Sequence, residues 1–239
     1  MKKILIYILF SGVFCAAAQN IEQAFVNLPD QYIPLLSKER RMQLLFHYIA
    51  LTSEDSEIDN GRPLLTSLLR TDSIENNFKG ISKMQILDSE NNYLKIALTE
   101  KSTFEMKIWE LNDTTEIIGF SHTVCAPVCD SQVAFFNKNF RRLDTDANQM
   151  FPDIAIQDFL NREKIAADGE KLENMVIKHD ALFATIVFQQ QSDTILLKSN
   201  VKEFLTAEIY AGIEPYLTGN TIELTWENGI FKKGGATWK

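Results

Sequence analysis

Thr123-Val124-Cys125-Ala126-Pro127-Val128-Cys129-Asp130-Ser131 is the stretch whose reading decides the fold. A β-branched run leads into it, Pro127 and the C-x-x-x-C spacing turn it, and Asp130-Ser131 opens a second strand-like run. Facing positions across a tight antiparallel hairpin lie within disulfide reach, so Cys125 and Cys129 are expected to bond there. A ring this small contributes only about 2 kcal/mol in the chain-entropy model. It shapes a loop more than it holds a fold.

On either side of the hairpin the hydrophobic period is close to two. Strands are expected over 83–87, 93–99, 104–111, 116–124 and 132–137. Their connectors, Ser89-Glu90-Asn91-Asn92, Glu100-Lys101-Ser102 and Asn112-Asp113-Thr114, carry turn chemistry. Phe104, Met106 and Ile108 alternate with Glu105, Lys107 and Trp109. That alternation predicts an antiparallel meander with one wet face.

Upstream, the pattern is helical. Ile21, Ala24 and Phe25 share one face before Leu28-Pro29-Asp30 breaks the run. Ser37 is placed as the cap of a second helix, with Met42, Leu45, Phe46 and Ile49 as its apolar face. Downstream of the acidic linker Asp144-Thr145-Asp146-Ala147-Asn148, the chain predicts a short helix over 154–162 and strands over 183–189 and 194–198. A helix over 202–213 follows, then a hairpin of 221–226 and 229–232 turning at Asn228-Gly229. The class is α+β: N-terminal helices, then two mainly antiparallel β-sheet regions with a helix interposed in the C-terminal half. The organisation reads as a signal peptide (1–18), a helical lead plus meander (19–143) and a second α+β region (144–239). The second region either packs with the first or stands apart.

The first residues point to export. Lys2 and Lys3 precede an apolar run from Ile4 to Phe14, and Ala16-Ala17-Ala18 supplies small residues for cleavage between Ala18 and Gln19. The run is shorter than the roughly 20 residues a membrane span needs, so no anchor is expected after cleavage. Lipidation at Cys15 is the lesser alternative, because Phe14 stands where that processing wants a small side chain. The expected destination is the periplasm or the cell exterior. The formal net charge of −8 falls to about −10 once Lys2 and Lys3 are removed, which argues against nucleic acid or an anionic membrane as partner.

Candidate chemistry is sparse. His122, Asp130 and Ser131 offer a base, an orienter and a nucleophile, the basis of an alternative hydrolase reading. No oxyanion-hole signature or G-x-S-x-G turn accompanies them. His47, His122 and His179 have no neighbours at zinc-ligand spacing. Asp55-x-Glu57-x-Asp59 and Asp144-x-Asp146-x-Asn148 lack the glycine and glutamate of a calcium loop. No glycine pattern cradles a phosphate. Trp109, Trp226 and Trp238 suit either the core or a sugar- or peptide-binding surface. No catalytic, metal or cofactor residue is assigned.

Several stretches together resemble an uncharacterised family of exported proteins from anaerobic gut and oral bacteria. Residues 25–36, Phe25-Val26-Asn27-Leu28-Pro29-Asp30-Gln31-Tyr32-Ile33-Pro34-Leu35-Leu36, look like the family's opening, continued by Arg40 to Leu45. Leu94 to Glu110 resembles its strand pair, and Thr123-Val124-Cys125-Ala126-Pro127 with Asp130-Ser131 and Phe135-Phe136 resembles its T-V-C-x-P…D-S motif. The likeness covers residues 21–160 well and the C-terminal third loosely, and it carries no activity. It implies O-glycosylation at Asp followed by Ser or Thr, hence at Ser73, Thr114 and Thr194. The expected function is a non-catalytic envelope module that binds a protein, peptide or glycan. The rivals are the hydrolase and a structural component of a surface assembly.

Overall fold

The computed structural model describes residues 20–52, 71–112, 115–143, 150–169 and 182–239. Six strands form one antiparallel sheet in chain order: β1 (Ser73–Glu75), β2 (Ile81–Asp88), β3 (Tyr93–Thr99), β4 (Ser102–Asn112), β5 (Thr115–Cys125) and β6 (Cys129–Asn137). A second antiparallel sheet runs β10-β9-β8-β7, from β7 (Ala184–Phe188), β8 (Thr194–Ser199), β9 (Thr221–Glu227) and β10 (Ile230–Thr237). Asn228 and Gly229 turn the last hairpin with positive φ at both residues, 51° and 89°. Asn and Gly tolerate that conformation, which is why they stand there. β3 falls on its expected bounds, β7 is one residue shorter at each end, the other expected strands run beyond theirs, and the three-residue β1 was not expected.

The helices occupy one face of the larger sheet. Helix α1 (Ile21–Asn27) starts where the Asn20 side chain accepts the Gln23 N–H, and it buries Ile21, Ala24 and Phe25. Helix α2 (Lys38–Thr52) starts at Ser37, whose Oγ accepts the Arg40 N–H at 3.4 Å. Its inner face is Arg41, Leu44 and Leu45 with Tyr48 alongside. This corrects the expected stripe: of Met42, Leu45, Phe46 and Ile49, only Leu45 is buried. The displacement has a polar cause. The Arg41 guanidinium reaches the carbonyls of Leu36 (2.6 Å), Leu28 (2.5 Å) and Val26 (3.2 Å) and the Asp30 carboxylate (2.9 Å). A buried cation so surrounded is tolerable. It ties the turn to the helix and rotates Met42, Phe46 and Ile49 outward. The core on this face joins Ile21, Phe25, Leu36 and Leu44 to Ile96, Phe104, Met106 and Phe120.

The opposite face of the sheet is not wet, as the alternation had suggested. Tyr93, Trp109, Ile117 and Phe135 pack there against Phe188, Ile195, Ile222, Leu224 and Phe231 of the second sheet. Trp109 meets Phe188 and Phe231 nearly edge-on, with centroids 5.1 and 5.4 Å apart. β4 is thus buried on both faces while keeping Glu105 and Lys107 in its inter-sheet face. The remaining elements are short. A 3-10 turn (Ile156–Phe159) and α3 (Arg162–Ala167) replace the single helix expected over 154–162. The helix expected over 202–213 is two, α4 (Val201–Phe204) and α5 (Ala207–Ile213), because Thr206 restarts the chain by capping Ile209.

Candidate functional site

The quoted hairpin forms as read. Thr123 faces Ser131, Val124 faces Asp130 and Cys125 faces Cys129 across β5 and β6. The two sulfurs stand at disulfide distance, 1.97 Å. The loop between them closes through a cis Ala126–Pro127 peptide, with Val124, Ala126 and Pro127 exposed.

The same register separates the candidate dyad. His122 faces Gln132, one residue out of step with the Thr123–Ser131 pair. Successive strand residues point to opposite faces, so His122 lies on the helix-covered side and Ser131 on the inter-sheet side. Each is otherwise engaged. Ser131 Oγ shares a 2.7 Å hydrogen bond with Thr123 Oγ1 and accepts the Ile186 N–H at 2.9 Å. His122 Nε2 is buried with no hydrogen-bond partner among the described residues, and burial lowers its pKa. Asp130 Oδ1 accepts the Ala184 N–H at 3.2 Å and is no orienter for His122. Asp130 and Ser131 open β6 as expected, and they have a second role in addition. They hold the second sheet.

Strand β7 is the edge of its sheet, and its outward polar groups need partners. Side chains of the larger sheet supply them in sequence. Asp130 and Ser131 of β6 take the N–H groups of Ala184 and Ile186, Ser121 of β5 donates to the Ile186 carbonyl at 2.8 Å, and Glu105 of β4 accepts the Phe188 N–H at 2.8 Å. The Lys107 ammonium then donates to the carbonyls of Gln189, Gln190 and Ser192 at 2.8, 3.2 and 2.7 Å. Gln190 Nε2 reaches Asp88 of β2 at 2.6 Å. β7 therefore crosses the strands of the larger sheet rather than running along one of them.

The electrostatics of this seam follow from its burial. Desolvation lowers the Lys107 pKa, against the opposing pull of Asp193 and Asp88. All three of its donors are engaged, so it presents no free proton to a ligand. Burial raises the Tyr93 phenol, and the neighbouring Glu105 carboxylate adds to that rise. Glu105 also pairs with Lys95 at 2.8 Å. At the open end of the seam lies a polar cavity of about 260 Å³, lined by Glu90, Asn91, Asn92, Glu110, Ser192 and Asp193 around Lys107. Among the described residues, no group of three or more His, Cys, Asp or Glu could hold a metal ion.

The other expected sites fall in several places. Ser73 opens β1 with its hydroxyl against Thr71 Oγ1, and Thr194 opens β8 opposite Thr225; both are half-buried. Trp109 is core, Trp226 is half-buried beside it, and Trp238 is 58% exposed. Cys15, Ala18, Gln19, Thr114, His179 and both acidic loops, at 55–59 and 144–148, lie outside the described residues. Sequence reasoning missed Glu105, Lys107, Ser121 and Asn200 as the polar fasteners of the seam. The only signal for the first two was a charge pair in a strand flanked by aromatics.

No curated protein matches the chain. It is similar in fold to the solved structure of a domain of an uncharacterized protein from Porphyromonas gingivalis W83, with a TM-score of 0.67 at 20% identity. That likeness covers 90% of this chain and 97% of the other. The family model described as "Protein of unknown function (DUF3256)" matches residues 13–231, and the chain belongs to that family.

Proposed function

We propose that this protein is an exported, non-catalytic module of the cell envelope that binds a protein partner through the outer face of α2. The observation that carries the non-catalytic reading is the state of the seam. Glu105, Lys107, Ser121, Asp130 and Ser131 all bond to the backbone of residues 184–192. A base or nucleophile must instead face a reacting atom within hydrogen-bond reach. The hydrolase alternative loses its dyad to the strand register. The choice of a protein over a glycan or free peptide rests on Met42, Phe46 and Ile49. They are 53, 58 and 47% exposed and recur at helical spacing on one face, the form in which helices present apolar anchors.

Export rests on Lys2-Lys3, the apolar run to Phe14 and Ala16-Ala17-Ala18. Ser73, Thr114 and Thr194 are the proposed glycan acceptors. The intact mass of the protein from its native cells tests both points. It should begin at Gln19 and exceed the bare chain by glycan increments. A retained leader or a lipid on Cys15 sinks the cleavage proposal, and a bare mass sinks the glycans. A photo-crosslinker replacing Phe46 tests the partner, with one replacing Glu208 as control. One discrete adduct is expected from position 46 alone, lost when Met42 and Ile49 are both changed to Asp. No adduct, or the same adduct from both positions, refutes the binding face.

A further inference from the structure

We propose that the Cys125–Cys129 apex is a dithiol-addressable latch that holds α4 and α5 in place through Asn200. This goes beyond the partner-binding reading and uses none of the α2 residues. The latch begins with Asn200, which occupies the capping position of α4 but makes no side-chain cap there. Its Nδ2 instead donates to the Cys129 carbonyl at 2.7 Å and to Thr185 Oγ1 at 2.9 Å. Its own N–H donates to the Phe183 carbonyl at 2.8 Å. Asn200 is only 7% exposed, so losing the Cys129 acceptor leaves a buried donor unanswered.

The two sides of this bond differ in how firmly they are held. Beyond it, Lys202, Glu203, Ala207, Glu208, Ala211 and Gly212 are exposed. Within the two helices only Val201 and Ile213 are buried, and an aromatic contact between Phe204 and Phe183 helps seat α4. On the near side, the disulfide ring closes over three intervening residues, and both cysteines are partly exposed. Opening so small a ring frees little chain entropy in the unfolded state, so its effect is local. The sheets keep Ser131, Ser121, Glu105 and Lys107 as fasteners that do not pass through the ring.

The reaction is thiol–disulfide exchange. A thiolate of the dithiol attacks one cysteine sulfur, the Cys125–Cys129 bond breaks and the displaced thiolate takes up a proton. The second thiol then resolves the mixed disulfide. Two electrons pass to the protein, and the reagent leaves as its own disulfide. With the ring open, the Cys129 carbonyl loses the covalent restraint that helps hold it toward Asn200.

Hydrogen exchange on the full chain, oxidised and then reduced with dithiothreitol, tests this. Amides of 201–206 should exchange roughly fivefold faster after reduction, while those of β4, β5, β7 and β8 keep their protection. Asn200→Asp, which keeps the size and removes the donor, should reproduce the change in the oxidised protein and abolish the response to dithiothreitol. An unchanged 201–206 segment in the reduced protein overturns the latch. So does an unchanged segment in oxidised N200D, or an equal rise throughout both sheets.

Discussion

Glu105→Leu probes a buried carboxylate in the join between the sheets. The residue is 4% exposed, its Oε2 accepts the Phe188 N–H at 2.8 Å and its Oε1 meets Lys95 at 2.8 Å. Leucine fills a similar volume, so the cavity contribution is small. Phe188 is buried, and its N–H is left without an acceptor at a cost of about 1–3 kcal/mol. The lost Lys95 pair adds no more than about 1 kcal/mol, because that ammonium can turn to water. Removing a buried carboxylate relieves some desolvation, so the net expectation is about 2 kcal/mol. Asp130→Ala is the internal comparison. It removes the same kind of bond, from carboxylate to a β7 N–H, but Asp130 is exposed and water can replace it. Its cost should stay below about 1 kcal/mol. Urea unfolding of the oxidised protein reads both, and each kcal/mol should also shift the melting temperature by about 2–4 °C. A neutral or stabilising Glu105→Leu would refute the reasoning, as would an Asp130→Ala that costs more.

Two further changes test the core and the unpartnered histidine. An added methyl in Gly119→Ala would stand 2.5 Å from Trp109 Cζ3 and 2.9 Å from Phe135 Cε1, both rings fully buried. Overpacking there should cost about 1–3 kcal/mol and alter the near-ultraviolet circular dichroism of Trp109, and an unperturbed spectrum with wild-type stability would contradict it. His122 has a folded-state pKa below its ordinary 6.5 because burial disfavours the cation. As the pH falls, the unfolded chain therefore binds the proton first. The stability conferred by the neutral ring is present above about 6.5 and is lost as pH falls through the folded value. The urea midpoint should consequently drop more between pH 7.5 and 5 in wild type than in His122→Gln. Parallel drops would show that His122 is not responsible.

The elements that were legible share a cause. β3 was read to the residue, and the Asn228-Gly229 turn and the Cys125–Cys129 hairpin fell where expected. Each is set by pairing with its immediate neighbours along the chain. What was not legible depends on partners remote in sequence. Glu105 and Lys107 look like solvent-facing residues of an alternating strand, and only contacts with residues 188–192, more than eighty positions on, make them interior. Arg41 reads as surface until its carbonyl acceptors at Val26, Leu28 and Leu36 are seen to converge. For the same reason the apolar face of α2 was assigned by counting apolar residues, when a buried cation had set the rotation.

The alternative pairing of His122 with Ser131 is a different case, because the sequence already held the grounds for discarding it. Pairing Cys125 with Cys129 forces Thr123 opposite Ser131 and His122 opposite Gln132, since each step away from the turn moves both strands by one residue. Strand alternation then sends His122 and Ser131 to opposite faces before any coordinate is known. The same count explains why threonine and serine stand where they do. As a facing pair on the inter-sheet side, they share one hydrogen bond and leave Ser131 Oγ oriented to accept from Ile186. Nothing in this requires the disulfide, only the hairpin register. Removing both cysteines should therefore loosen the apex and leave Thr123, Ser131 and β7 joined.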